Sequence, residues 1–181
     1  FTRDVAVKFN QTYCPGFDPQ TGRGGVLRIP EPMILSETGV VPGTDGRKMS
    51  KSYGNTIDLG EPGADTQKKV MGMVTDPARK LRKDPGNPDV CGIFYLHKVT
   101  SEAETVSWVD QNCRTAGIGC VDCKKKLLER LLPQQDEMRA RREALLQKPK
   151  DVDDLVQLGT RKAREVAART MDEVRTAMKL K

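Results

Sequence analysis

Histidine is nearly absent from this chain: its 181 residues include one, His97. A lone imidazole excludes chemistry that needs two, such as His-rich zinc hydrolase sites and HEXXH helices. Catalysis would have to run on lysines, hydroxyls or a bound cofactor. Long apolar runs are missing too, and no stretch approaches the roughly 20 consecutive apolar residues of a transmembrane helix. The first residues, Phe1 to Asn10, have neither the charged start nor the apolar core of a signal peptide. The chain therefore reads as cytoplasmic, without a membrane partner. Cysteine falls short of a disulfide framework: the count of five is odd, and four crowd between residues 91 and 123. Metal ligation is the better starting point.

What is present describes one ordinary globular domain or two small ones, with 36% hydrophobic and 31% charged residues. The net charge of +6 is unevenly placed. Residues 1 to 123 hold 15 basic against 15 acidic side chains, and residues 124 to 181 hold 16 against 10. A neutral front and a basic back suit either a polyanionic partner for the back or a solvated helical surface.

Phe1, Val5 and Phe9 recur at helical spacing, with Thr2 placed to cap. From Cys14 to Gly46 the chain is dense in Gly and Pro, and the short pieces Val26 to Ile29 and Val40 to Val41 read as strands at a sheet's edge. A helix capped by Asp65 is expected through Val74, stopped by Asp76-Pro77, with a basic loop from Arg79 to Pro88. Cys91 to Gln111 is helical in pattern, and Cys113 to Cys123 reads as a tight loop around Gly117 and Gly119. Leu127, Leu128, Leu131 and Leu132 form an apolar face, and Pro133 fits the first turn of a new helix through Leu146. Beyond Lys148-Pro149-Lys150, a short helix from Asp151 should stop at Gly159. A last one capped by Thr160 would then carry Ala163, Ala167, Thr170, Val174 and Met178 on one face.

Two groups of residues carry chemistry. The first is Lys48-Met49-Ser50-Lys51-Ser52, a pentapeptide whose chance occurrence in a chain this long is on the order of one in ten thousand. Two ammonium groups three residues apart, two hydroxyls and the flanking Gly43, Gly46 and Gly54 make a loop able to close on a polyphosphate. The second is Cys91, Cys113, Cys120 and Cys123, spaced C-x21-C-x6-C-x2-C. Three readings stay open on spacing alone. The four are buried small hydrophobes, a four-thiolate zinc site, although zinc sites favour two CxxC pairs, or ligands of an iron-sulfur cluster, which tolerates distant single ligands. Cys14 reads as structural, and His97 as packed or exposed, not ligating.

KMSKS is the second signature of class I aminoacyl-tRNA synthetases, and its surroundings resemble the tryptophanyl branch. Thr2 to Asn10, Pro42 to Ile57, Val74-Thr75-Asp76 and the tail residues Gly159, Lys162-Ala163-Arg164, Val166-Ala167, Thr170 and Val174-Arg175 carry the likeness. The resemblance implies the C-terminal remnant of an α/β, Rossmann-like nucleotide-binding domain over residues 1–60 and an all-α anticodon-binding domain over 61–181. The HIGH-like first signature, which would need a histidine before residue 48, is absent, so these residues are expected to be a C-terminal portion of a longer enzyme. The implied reaction is activation of tryptophan by ATP, with Mg, to the adenylate, then transfer to tRNA(Trp). Lys48 and Lys51 would hold the phosphates. Val41, Met49, Ser50 and Ser52 complete the implied ATP site. A homodimer is implied as well. For the cysteines the resemblance favours a 4Fe-4S cluster, as in a subset of bacterial members, despite a slight difference in the long first gap. An anionic cluster or a tRNA phosphate would suit Lys124 and Lys125 at a helix start, and Arg161, Lys162, Arg164 and Arg169 are the tail's tRNA candidates. A non-catalytic tRNA-binding or regulatory module on the same fold is the alternative.

Overall fold

The computed structural model describes residues 1–35 and 38–180. Six α-helices dominate: α1 (Thr2–Tyr13), α2 (Gly63–Gly72), α3 (Gly92–Thr100), α4 (Ala103–Arg114), α5 (Cys120–Leu146) and α6 (Pro149–Ala177). The chain divides into two compact units, one of residues 1–33 with 148–181, the other of residues 34–147. The KMSKS segment shares the second of these units with α2 to α5. No helix among the described residues is long and apolar enough to cross a membrane.

No strand forms among the described residues; the one β-like pairing is an isolated antiparallel bridge between Pro42 and Lys48. Neither expected edge strand forms: Val41 is left beside that single bridge, and over Val26 to Ile29 a side chain stands where a hydrogen-bonding strand neighbour would. Fully buried Asn10 donates from Nδ2 to the Leu27 carbonyl at 2.7 Å and accepts the Leu27 N–H at Oδ1 at 2.9 Å. One amide thereby satisfies both polar groups of Leu27, as a β partner would. Gly25 has to be glycine for this approach, since a Cβ there would lie 2.3 Å from Asn10 Nδ2. In the same unit Arg3 pairs with Glu31 at 2.6 Å and donates to the Pro30 carbonyl. Thr2 does not cap α1; it is already helical, and Phe1 precedes it without a side-chain cap.

The second unit is built on a core of Val70, Met73, Ile93, Leu96, Leu127, Leu128 and Leu131 from α2, α3 and α5. Full burial of each large aliphatic side chain contributes about 1.5–3 kcal/mol. Val41 and Ile57 pack on this core from either side of the KMSKS segment, and so do Cys91 and Cys123.

Four helix boundaries differ from expectation. Pro133 lies inside α5 instead of opening a new helix. A proline in a helix interior costs about 3 kcal/mol, and burial of Leu127, Leu128, Leu131 and Gln135 on both sides of it holds α5 continuous. Gly159 does not end a helix, because glycine without a left-handed backbone costs only about 1 kcal/mol, and α6 runs through it. The segment 113–123 is mostly helix: Cys113 lies in α4, Cys120 opens α5, and residues 115–119 are all that connects them. Asp65 likewise sits inside the first turn of α2, which Pro62 precedes and which ends at Gly72.

Candidate nucleotide loop and cysteine site

The KMSKS segment is a hairpin-like loop tied around Asn55. The Met49 N–H bonds the Val41 carbonyl at 2.8 Å, and the Gly43 N–H bonds the Arg47 carbonyl at 2.7 Å. Asn55, 2% exposed, accepts the Ser50 N–H at 2.7 Å and donates to the Lys48 carbonyl at 3.2 Å and to Asp45 Oδ1 at 2.7 Å. Its own carbonyl accepts the Thr44 N–H. Gly43 makes room, because a Cβ there would stand 2.4 Å from the Asn55 side chain. Gly46 and Gly54 adopt positive φ, 82° and 64°, where a side chain would strain the turn.

This frame leaves the functional atoms free. Lys48, Lys51 and Ser52 are exposed, while Met49, Ser50 and Val41 are half-buried. The Ser50 and Ser52 hydroxyls lie 2.8 Å apart. Arg47 is engaged by Asp45 and stacks over the Tyr53 ring at 4.4 Å, so the lysines are the cations left uncommitted at the tip. Hydrogen bonds from Asn55, with Arg47 beside it, hold the Asp45 carboxyl down at about 2, against an ordinary 3.8. A cleft of about 610 Å³ adjoins the loop, lined among others by Val40, Pro42, Lys48, Thr75 and Tyr95. The arrangement can present two ammonium groups and two hydroxyls to a polyphosphate, stabilising negative charge as it develops on a leaving group. Asp45 and Asn55 had no role assigned from sequence. The one signal was a small polar residue directly after Gly54, five positions after Ser50.

The four cysteines come from three helices. Cys91 caps the start of α3, Cys113 lies near the end of α4, and Cys120 and Cys123 occupy the first turn of α5. Burial pushes the Cys123 thiol up to about 12, and the proximity of Cys91, Cys113 and Cys120 adds to it. Cys113 is raised by the same causes, opposed by Arg79. Cys123 therefore lies near the other three, and Cys113 near Cys91 and Cys120. Among the described residues, however, no three His, Cys, Asp or Glu side chains gather closely enough to hold a metal ion. Arg79 reaches into this group: Nη1 lies 3.9 Å from Cys120 Sγ, Nη2 donates to the Arg82 and Ile118 carbonyls, and buried Nε has no partner. Gly86 leaves space beside Cys113, whose Sγ would be 2.7 Å from a Cβ at that position. His97 is packed, fully buried, with Nδ1 2.9 Å from Ser101 Oγ and Nε2 3.3 Å from the Cys123 carbonyl and 3.6 Å from its Sγ. Cys14 stands apart, half-buried against Asn10.

One basic candidate is corrected. Lys124 is only 8% exposed, and its ammonium donates to the Met71 and Met73 carbonyls at 2.9 and 2.7 Å. Those carbonyls close the C-terminal end of α2, so the charge serves a helix terminus and is withheld from phosphate. Lys125, Arg161, Lys162, Arg164 and Arg169 are exposed.

With the loop's geometry comes its kinship: the family model for tRNA synthetases class I (W and Y) matches residues 1–132, and the chain belongs to that family. Its relatives point to one branch. The chain is 45% identical over 181 residues to the tryptophan–tRNA ligase of Thermotoga maritima, covering 99% of this chain and 52% of that protein. To the tryptophan–tRNA ligase of Aquifex aeolicus it is 40% identical, covering 99% and 43%. Among solved structures, tryptophanyl-tRNA synthetase from Campylobacter jejuni complexed with ADP and tryptophan superposes with a TM-score of 0.68 at 30% identity, covering 97% of this chain and 51% of that one. The chain thus spans about half the length of the relatives it matches.

Proposed function

We propose that this chain works as part of a tryptophan–tRNA ligase, supplying the loop that grips ATP phosphates during tryptophan activation and a helical surface for tRNA(Trp). The carrying observation is the loop frame itself: Asn55 and Asp45 tie down the backbone of Lys48 and Ser50 and the Arg47 side chain, while the Lys48 and Lys51 ammoniums stand exposed beside the paired hydroxyls of Ser50 and Ser52. Lys48 and Lys51 neutralise the polyphosphate as pyrophosphate leaves, and the strand-like pairing of Val41 with Met49 offers a backbone edge toward the adenine. Magnesium accompanies the ATP. Residues 1–60 are read as the end of a Rossmann-like catalytic domain and 61–181 as the anticodon-binding region, in a cytoplasmic homodimer. Lys125, Arg161, Lys162, Arg164 and Arg169 would meet tRNA phosphates, so affinity would fall steeply with salt.

For Cys91, Cys113, Cys120 and Cys123 we read a 4Fe-4S cluster. Support comes from Cys91, Cys113 and Cys120 lying close enough to Cys123 to raise its thiol, on three different helices. An unpartnered Arg79 Nε–H in the same place suits an anionic group. A bound cluster would tie α3, α4 and α5 together. Cys123 and Cys113 hold their protons firmly, so loading would release them and weaken as pH falls.

The test is tryptophan-dependent ATP–pyrophosphate exchange by the complete gene product carrying this sequence, with tyrosine as the control. Exchange with tryptophan alone is expected; exchange driven by tyrosine, or none, overturns the reading. Protein purified without oxygen should contain about four iron and four sulfide per chain. Zinc in a colourless protein overturns the cluster.

A further inference from the structure

α5 does more than fill the core: from one side it holds the chain that follows the KMSKS loop by its backbone. Gln135 Nε2 donates to the Asp58 carbonyl at 3.0 Å, Arg139 Nη1 donates to the Glu61 carbonyl at 2.9 Å, and Lys124 holds the carbonyls of Met71 and Met73. Gln135 and Arg139 are four residues apart and share a helix face. The gripped segment is also tied from its other side: Lys69 Nζ donates to the Thr56 carbonyl at 2.9 Å and pairs with the Glu61 carboxylate, which accepts the Thr66 hydroxyl at 2.8 Å. Thr56 directly follows Asn55, the hub that sets the backbone of Ser50 and Lys48.

Gln135 is the informative member. It is 1% exposed, and its Oε1 is buried with no partner. A methionine of similar volume would fill the same space without an orphaned carbonyl, so glutamine here is a liability for stability alone. Its orientation is not arbitrary, because reversing the amide would set carbonyl against the Asp58 carbonyl. A buried amide left half-satisfied makes sense if its one bond is needed for position.

We propose that Gln135 and Arg139 are positioning residues for the phosphate grip. Through the carbonyls of Asp58 and Glu61 they set where the loop bearing Lys48 and Lys51 stands, so a helix opened by two of the cysteines fixes the register of the ATP loop. The inference rests on the reading of that loop as an ATP-phosphate grip.

The experiment compares Gln135→Met, Arg139→Met and Arg139→Lys with the parent in the complete gene product. Three quantities are read: KM for ATP and for tryptophan in pyrophosphate exchange, the melting temperature, and the rate of tryptic cleavage after Arg47, Lys48 and Lys51 mapped by mass spectrometry. Gln135→Met and Arg139→Met are expected to raise KM for ATP at least threefold and loop cleavage several-fold. KM for tryptophan should stay unchanged, and Gln135→Met should melt no lower than the parent. Arg139→Lys, which keeps a donor, should recover most of the difference. Unchanged loop cleavage in Gln135→Met, or a fall in melting temperature with both KM values moving together, overturns the proposal. A parent without exchange activity defeats the tryptophan reading, and the cleavage rates still decide the positioning.

Discussion

The KMSKS loop and the cysteine site share one core yet are opposite kinds of site. The loop's frame spans residues 41 to 55 and is made by local hydrogen bonds to one buried asparagine, with its charges held out in solvent. The cysteines come from three helices, and burial of Cys113 and Cys123 disfavours their ionised forms. A contiguous polar loop can keep its geometry through its own backbone, whereas a site gathered from distant helices depends on the packing of Ile93, Leu96, Leu127 and Leu128 between them. Damage to the first should therefore stay local in stability and be felt in ATP chemistry. Damage to the second should spread through the helices.

The largest effect is expected from Asn55→Ala, which removes three polar contacts at once and leaves the Ser50 N–H without its acceptor. Loss of such a buried hub is worth about 2–3 kcal/mol, and tryptophan-dependent exchange should fall well over tenfold. Retained exchange would show that the loop keeps its geometry without its hub. Lys51→Ala should slow exchange by about tenfold or more with an unchanged melting temperature, since an exposed lysine has no core role. Lys48→Ala should act alike, and on the proposed grip of one polyphosphate by both ammoniums the double variant should show less than the product of both effects.

The comparison sharpens at Cys120→Ser. Adenylate formation should survive better than tRNA charging, by several-fold, with lower iron content and a lower melting temperature. Equal loss in both reactions would mean that the cysteine site supports the ATP loop as strongly as it supports its own helices. A smaller effect follows from Asp45. Its folded value of about 2 lies below the ordinary 3.8, so its support of the loop is complete above pH 4 and is lost as pH falls through about 2. The side-chain amide signals of Asn55, followed by NMR during acid titration, should move in that window; movement near pH 4 would deny the bond. The smallest effect belongs to the other unit: Gly159→Ala should stabilise α6 by about 0.5–1 kcal/mol, because nothing lies within 4 Å of the added Cβ and the backbone is already helical. Thermal unfolding measures it.

Legibility from sequence followed the same division. KMSKS could be read because its chemistry lies in five consecutive residues, and the glycines around it announce a turn. The four cysteines were found by crowding along the chain, but among the described residues no three of them gather closely enough to hold a metal ion, and Arg79 and Gly86 beside them were not foreseen, since nothing in their neighbourhood along the chain marks them. Lys124 was misassigned because charge looks the same in sequence whether it faces water or the end of α2. Pro133 and Gly159 were read as breaks on local propensity. Packing of α5 overrode the proline, and for α6 the glycine was too small a cost to end the helix.

What the sequence determined by itself is local: helical faces at α1, α2 and α5, the KMSKS turn with its glycines, and the identity of the thiols. The tertiary structure decided which donors meet which carbonyls. Asn10 replaced a strand partner for Leu27, and Lys124, Gln135 and Arg139 spent their polar groups on backbone 51 to 78 residues away. The physical reason is that a buried polar group must find a partner wherever the fold brings one. Spacing along a chain sets periodicity within an element, and only the packing of elements sets which unpaired groups face each other.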